Sequence, residues 1–139
     1  MGVDMEKKHR ILLVDDDADF IDLSKAVLEN HGFDVLAAYS GREGLDKVRF
    51  EQPDLIVLDL MMEKHDTGFA FAKALKADPL HKNIPILMLT AVSGTTGYDF
   101  SQELDGYWMK TDDYASKPLP PEELVKRVSD LLARSGQQE

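Results

Sequence analysis

The chain has 139 residues, 43% of them hydrophobic and 30% charged, with a formal net charge of -10 and no cysteine. That length fits one domain with a real core, and the lack of cysteine excludes disulfides, thiol catalysis and Cys-based zinc sites. The acidic balance repels nucleic acid, so no DNA-binding role is expected of this chain alone; a divalent cation or a basic partner surface fits better.

The start, "MGVDMEKKHR", lacks the apolar core of a signal peptide. No stretch approaches the ~18 apolar residues that would span a membrane. The expected location is the cytoplasm, with no membrane insertion. Residues 1–8 and 134–139 read as flexible tails around a domain over 9–133.

Strand-like and helix-like segments alternate. Ile11 to Val14 is a short apolar run, as in a strand buried on both faces. From Ala18 to Asn30 the apolar spacing becomes helical, with Phe20, Leu23, Val27 and Leu28 on one face. Asp17 can cap that helix and Gly32 can end it in a left-handed turn. "FDVLAAY", 33–39, is a second strand. "SGREGLDKVRFEQ", 40–52, opens with Ser40 and Glu43 as a capping box, turns Leu45 and Val48 inward and stops before Pro53.

"DLIVLDLM", 54–61, is the strongest strand. "TGFAFAKALKAD", 67–78, reads as a helix with Phe69, Ala72 and Leu75 at helical spacing. "IPILMLT", 84–90, is a fourth strand and "YASK", 114–117, a fifth. "PPEELVKRVSDLLARS", 120–135, is a closing helix that buries Leu124, Val128, Leu131 and Leu132. Between them, 91–113 is glycine-rich and then aromatic, and its "YDFSQELDGYWM" is a candidate for a short helix. The alternation predicts an α/β domain, a doubly wound parallel sheet of five strands with helices on both faces.

In such a sheet, functional side chains collect beyond the carboxyl ends of the strands. Asp15 and Asp16 end the first strand, Asp59 the third, Thr90 the fourth and Lys117 the fifth. Three carboxylates at one edge make a poor core but a good Mg²⁺ site, because Mg²⁺ takes hard oxygen ligands. The cation screens their repulsion and leaves one carboxylate free to attack a phosphoryl donor. Lys117 can neutralise phosphoryl oxygens, and Thr90 can hydrogen-bond one of them. For "DDD" by itself, a helix cap and a solvated turn is an equally good account.

"LLVDDD", "IVLDLMM", "PILMLTA" and "YASKP", in this order, resemble the receiver domain of bacterial two-component response regulators, over about residues 9 to 133. The resemblance implies the flavodoxin-like, receiver-type sheet and a stand-alone, single-domain phosphorylation switch. Asp59 matches the phospho-acceptor. Asp15 and Asp16 match the acidic pair, Asp16 as direct metal ligand and Asp15 through water. The backbone carbonyl of Met61 would complete the metal ligands. Thr90 and Lys117 match the switch hydroxyl and the family's lysine, and Tyr114 the aromatic switch position.

The implied donor is a sensor histidine kinase or phosphotransfer protein. With no second domain before Glu139, output is expected through protein contact or phosphotransfer, with 91–116 as a candidate surface for the downstream partner and a dimer left open. The chain departs from the pattern at Glu63, where the family usually has proline. It departs again at Gly68, one residue later than the usual glycine, and in the longer span from Thr90 to Lys117. Those departures favour an alternative, a receiver-like interaction module that does not switch. A phosphohydrolase is a third reading, opposed by Met61, which cannot act as general acid two residues past Asp59.

Overall fold

In a computed structural model of the chain, the described residues are 8–60, 67–90 and 112–136. Among them the elements run β1 (Arg10–Val14), α1 (Ala18–Asn30), β2 (Asp34–Ala38), α2 (Gly41–Glu51), β3 (Leu55–Asp59), α3 (Thr67–Ala77), β4 (Ile86–Thr90), β5 (Asp113–Ser116) and α4 (Pro121–Gly136). The strands form one parallel sheet in the order β2-β1-β3-β4-β5. Met61 and the candidate short helix within 91–111 lie outside the described residues. The closing helix runs to Gly136, two residues beyond 134, where the tail was expected to begin.

Alternation along each strand divides the core into two layers. Leu12, Val14, Ile56, Leu58, Ile86 and Met88 face a layer that includes Val48 of α2 and Phe71, Ala72 and Leu75 of α3. Ile11, Leu13, Val57, Leu87 and Leu89 face the other, with Ile21 and Leu28 of α1 and Leu124, Val128 and Leu131 of α4. Both faces of β1 and β3 are therefore covered, which explains why their sequences are continuous apolar runs.

Local signals set the helix ends. The Asp17 side chain accepts from the backbone N–H of Asp19 (3.1 Å) and Phe20 (3.3 Å), so it is the cap expected of it. Gly32 has φ 91°, the left-handed turn a glycine adopts most cheaply. Ser40 Oγ accepts from the Glu43 N–H at 3.1 Å, but Glu43 reaches back to the N–H of Tyr39, one residue before the cap. Leu23 corrects the expected face of α1: it is 55% exposed, and Ile21, Ser24 and Leu28 take the buried positions. Several apolar residues crowd that helix, and its inward stripe keeps Leu28 and part of Phe20 but shifts toward Ile21 and Ser24 and away from Leu23.

Gly68, in the first turn of α3, sits against the end of β3. A Cβ built there would collide with the Leu60 Cα and lie 2.6 Å from the Asp59 carbonyl oxygen. Only a residue without a side chain allows the helix to approach that backbone so closely.

Candidate functional site

The order β2-β1-β3 puts the ends of β1 and β3 side by side, at the point where the chain reverses its direction of sheet growth. Val14 pairs with Leu58, so the next residues, Asp15 and Asp59, emerge together. Each of Asp15, Asp16 and Asp59 offers a carboxylate oxygen, and the three oxygens lie within 4.8 Å of one another. Asp15 and Asp59 are buried, at 1% and 5% exposure, while Asp16 is exposed.

Lys117 follows β5 directly. Its Nζ donates to Asp15 Oδ2 at 2.8 Å and lies 3.6 Å from Asp59 Oδ2. The other Asp15 oxygen accepts the Asp17 N–H at 2.9 Å. Both oxygens of Asp15 are thus engaged within the protein, and Asp16 is the more accessible carboxylate for an incoming ion. The Lys117 ammonium also sits over the ring of Phe20, 4.6 Å from its centroid.

Burial pushes the Asp15 carboxyl up to about 6, against the pull of hydrogen bonds from Lys117 and Asp17, and the Asp59 charge adds to the rise. Burial also draws the Lys117 ammonium down. The Asp15 hydrogen bond and the charges of Asp15, Asp59 and Asp17 outweigh that and raise it, so the lysine remains a cation. The donor set is all oxygen and mainly carboxylate, which suits a hard divalent cation.

The other residues singled out from the sequence fall as follows. Thr90 is the last residue of β4 and pairs with Ser116, at the same sheet edge. Tyr114 lies in β5 and is 47% exposed. The Arg127 Nη1 donates to its carbonyl at 3.3 Å and to Asp113 Oδ2 at 3.1 Å, and Arg127 Nε donates to Glu123 at 2.9 Å, so α4 is tied to β5.

One buried ion pair has no counterpart in the sequence reading. Lys76 Nζ lies 2.8 and 2.9 Å from the two carboxylate oxygens of Asp112, at the opposite sheet edge, with both side chains almost wholly buried. It also donates to the carbonyls of Lys82 and Ile84, each at 3.2 Å, and Asp112 accepts the Ile86 N–H at 2.8 Å. The partners are 36 residues apart. A lysine among the apolar positions of α3 was the only available signal.

A profile of the response regulator receiver domain matches residues 11–129, and the chain belongs to that family. Over 131 residues it is 43% identical to the alkaline phosphatase synthesis transcriptional regulatory protein PhoP of Bacillus subtilis, covering 94% of this chain and 50% of that protein. Over 126 residues it is 40% identical to the DNA-binding dual master transcriptional regulator RpaA of Synechocystis sp., covering 91% and 50%. The chain spans about half the length of these curated relatives. Among solved structures it resembles the chemotaxis response regulator CheY4 of Vibrio cholerae, at 31% identity and a TM-score of 0.76, with 90% of this chain and 99% of that one covered. A CheY-like receiver domain protein of Methanospirillum hungatei gives a TM-score of 0.80 at 26% identity, covering 96% and 100%. Among the described residues, no helix is long and apolar enough to cross a membrane.

Proposed function

We propose that this chain is a phosphorylatable signalling switch that takes a phosphoryl group on Asp59 from a histidine kinase or phosphotransfer protein, and passes the signal by protein contact or by onward phosphotransfer. The observation that carries the proposal is the meeting of three carboxylates within 4.8 Å with a lysine ammonium 2.8 Å from one of them and 3.6 Å from Asp59. Asp59 belongs to a core strand, so its carboxylate is held in place before a donor arrives.

In this account an oxygen of Asp59 attacks phosphorus in line with the bond to the donor. That bond breaks as the aspartyl–phosphate bond forms, and the electron pair leaves with the donor's nitrogen or oxygen. Lys117 keeps its positive charge and draws the transferred oxygens toward the site. Mg²⁺ would be held by Asp16 and Asp59 directly, by Asp15 through water, and by the Met61 carbonyl. When bound it would neutralise charge on the transferred group. Thr90 is assigned the hydroxyl that answers the phosphoryl group, and Tyr114 the aromatic that follows it. A cytoplasmic location suits a kinase-fed switch.

The experiment is incubation with acetyl phosphate and Mg²⁺, read by intact mass. Wild type should gain one phosphoryl group and Asp59→Asn none. An adduct that persists in Asp59→Asn would refute the assignment. A wild type that takes up nothing would favour the receiver-like module that does not switch.

A further inference from the structure

Among the described residues, the Lys117 ammonium is held mainly by carboxylates. Its ammonium is a compact point charge on a flexible stem, with negative charge around it from Asp15, Asp59 and Asp17. One neighbour is of another kind. The Phe20 ring lies 4.6 Å from Nζ at its centroid. Phe20 is in the first turn of α1, whose start is fixed by the Asp17 cap, and it is half-buried against the layer of Ile11, Leu13 and Ile21. The ring packs against that core layer and presents π density to the cation. It attracts the ammonium without carrying charge of its own, so it does not compete with Asp15 and Asp59 as a further anion would.

We infer that Phe20 is a positioning residue: its ring face seats the Lys117 ammonium between Asp15 and Asp59, where it meets the incoming phosphoryl oxygens. The inference rests on the function proposed above, since it gives Phe20 a part in that reaction. Phe20 is assigned its part through Lys117, whose ammonium it contacts. A purely structural phenylalanine would be replaced well by any apolar side chain of similar bulk. A seat for a cation needs an aromatic ring.

The test compares wild type, Phe20→Leu and Phe20→Tyr in the full chain. Leucine keeps the apolar packing but has no ring, and tyrosine keeps the ring. The first readout is the shift of the Lys117 Cε protons by NMR in the metal-free protein. Protons above a ring face are shifted upfield; this shift should be present in wild type and Phe20→Tyr and lost in Phe20→Leu. The second is phosphorylation by acetyl phosphate at saturating Mg²⁺, with the maximal rate separated from the half-saturating donor concentration. Phe20→Leu should lower the maximal rate about three- to tenfold, the scale of one cation–π contact, and Phe20→Tyr should restore it. Melting curves of the two variants identify any loss of fold. Equal rates in all three proteins, with an adduct on wild-type Asp59, would overturn the role of Phe20 alone. No adduct on wild type would defeat the proposed function and this consequence with it. Equal losses in the leucine and tyrosine variants would mark Phe20 as packing only and also overturn the inference.

Discussion

Replacing Lys76 with methionine removes a buried cation and leaves its surroundings in place. The ammonium contacts both oxygens of Asp112 and donates to the carbonyls of Lys82 and Ile84. Burial lowers the lysine's pKa and the Asp112 charge opposes that fall, so the pair holds only while both members are present. In Lys76→Met the Asp112 carboxylate remains buried with the Lys76 counter-charge gone. Breaking a buried pair from one side costs about 3–5 kcal/mol. At about 2.1 cal/mol/K of unfolding entropy per residue, that loss lowers Tm by about 10–17 °C for a chain of this length. Asp112→Asn should cost less, because the amide oxygen can still accept the Ile86 N–H. Urea denaturation followed by far-UV circular dichroism, with calorimetric melting alongside, gives both numbers. A loss below about 1 kcal/mol for Lys76→Met would mean that water or a rearranged partner replaces the ammonium, and the pair would not be a structural anchor.

Three further outcomes are expected. Gly68→Ala should lose about 1–2 kcal/mol, since overpacking against the backbone of Asp59 and Leu60 outweighs alanine's better helix propensity, and it should slow acetyl phosphate labelling; a variant more stable than wild type would refute the close approach. In the metal-free protein, Asp15 holds its proton up to about pH 6 when folded and only to about 3.8 when unfolded, so its contribution to stability falls as pH rises through that window, by up to about 3 kcal/mol. Asp15→Asn should therefore gain on wild type between pH 4 and 7 in denaturation with EDTA, and a difference that does not change with pH would contradict the raised carboxyl. Asp17→Ala should cost about 1 kcal/mol of stability through the lost cap, whereas Asp16→Ala should weaken Mg²⁺ binding more than Asp17→Ala by titration calorimetry; equal affinities would undo the division between ligand and cap.

What the sequence made legible follows from what is local. Runs such as Ile11 to Val14 and Leu55 to Leu58 are apolar throughout because their strands are covered on both sides, and a short uniform run can be recognised without knowing its neighbours. The Asp17 cap and the Gly32 turn involve residues a few positions apart. The meeting of Asp15 and Asp59 was legible because strand ends at a chain reversal form a crevice in any sheet of this kind. Leu23 was misplaced because α1 carries apolar residues around much of its circumference, and only the packed neighbours decide which stripe turns inward. The Lys76–Asp112 pair, the ring of Phe20 beneath Lys117 and the backbone contact at Gly68 each join separate elements, and no periodicity reports on such a meeting.

The anchor at Asp112 also bears on distance measured along the chain. β5 has only four residues and pairs on one side with β4, so within the described sheet it is a short edge strand with few ladder bonds to hold its register. Asp112 immediately precedes it and Lys117 immediately follows it. A slip by one residue would move Lys117 by about 3.3 Å and exchange the faces of Tyr114 and Ala115. That displacement is larger than the 2.8 Å contact between Lys117 and Asp15. The far edge of the sheet therefore acts as the zero mark of a ruler five residues long, with the positive charge at its other end. Damage at Asp112 should then surface as a misplaced lysine on the opposite side of the molecule.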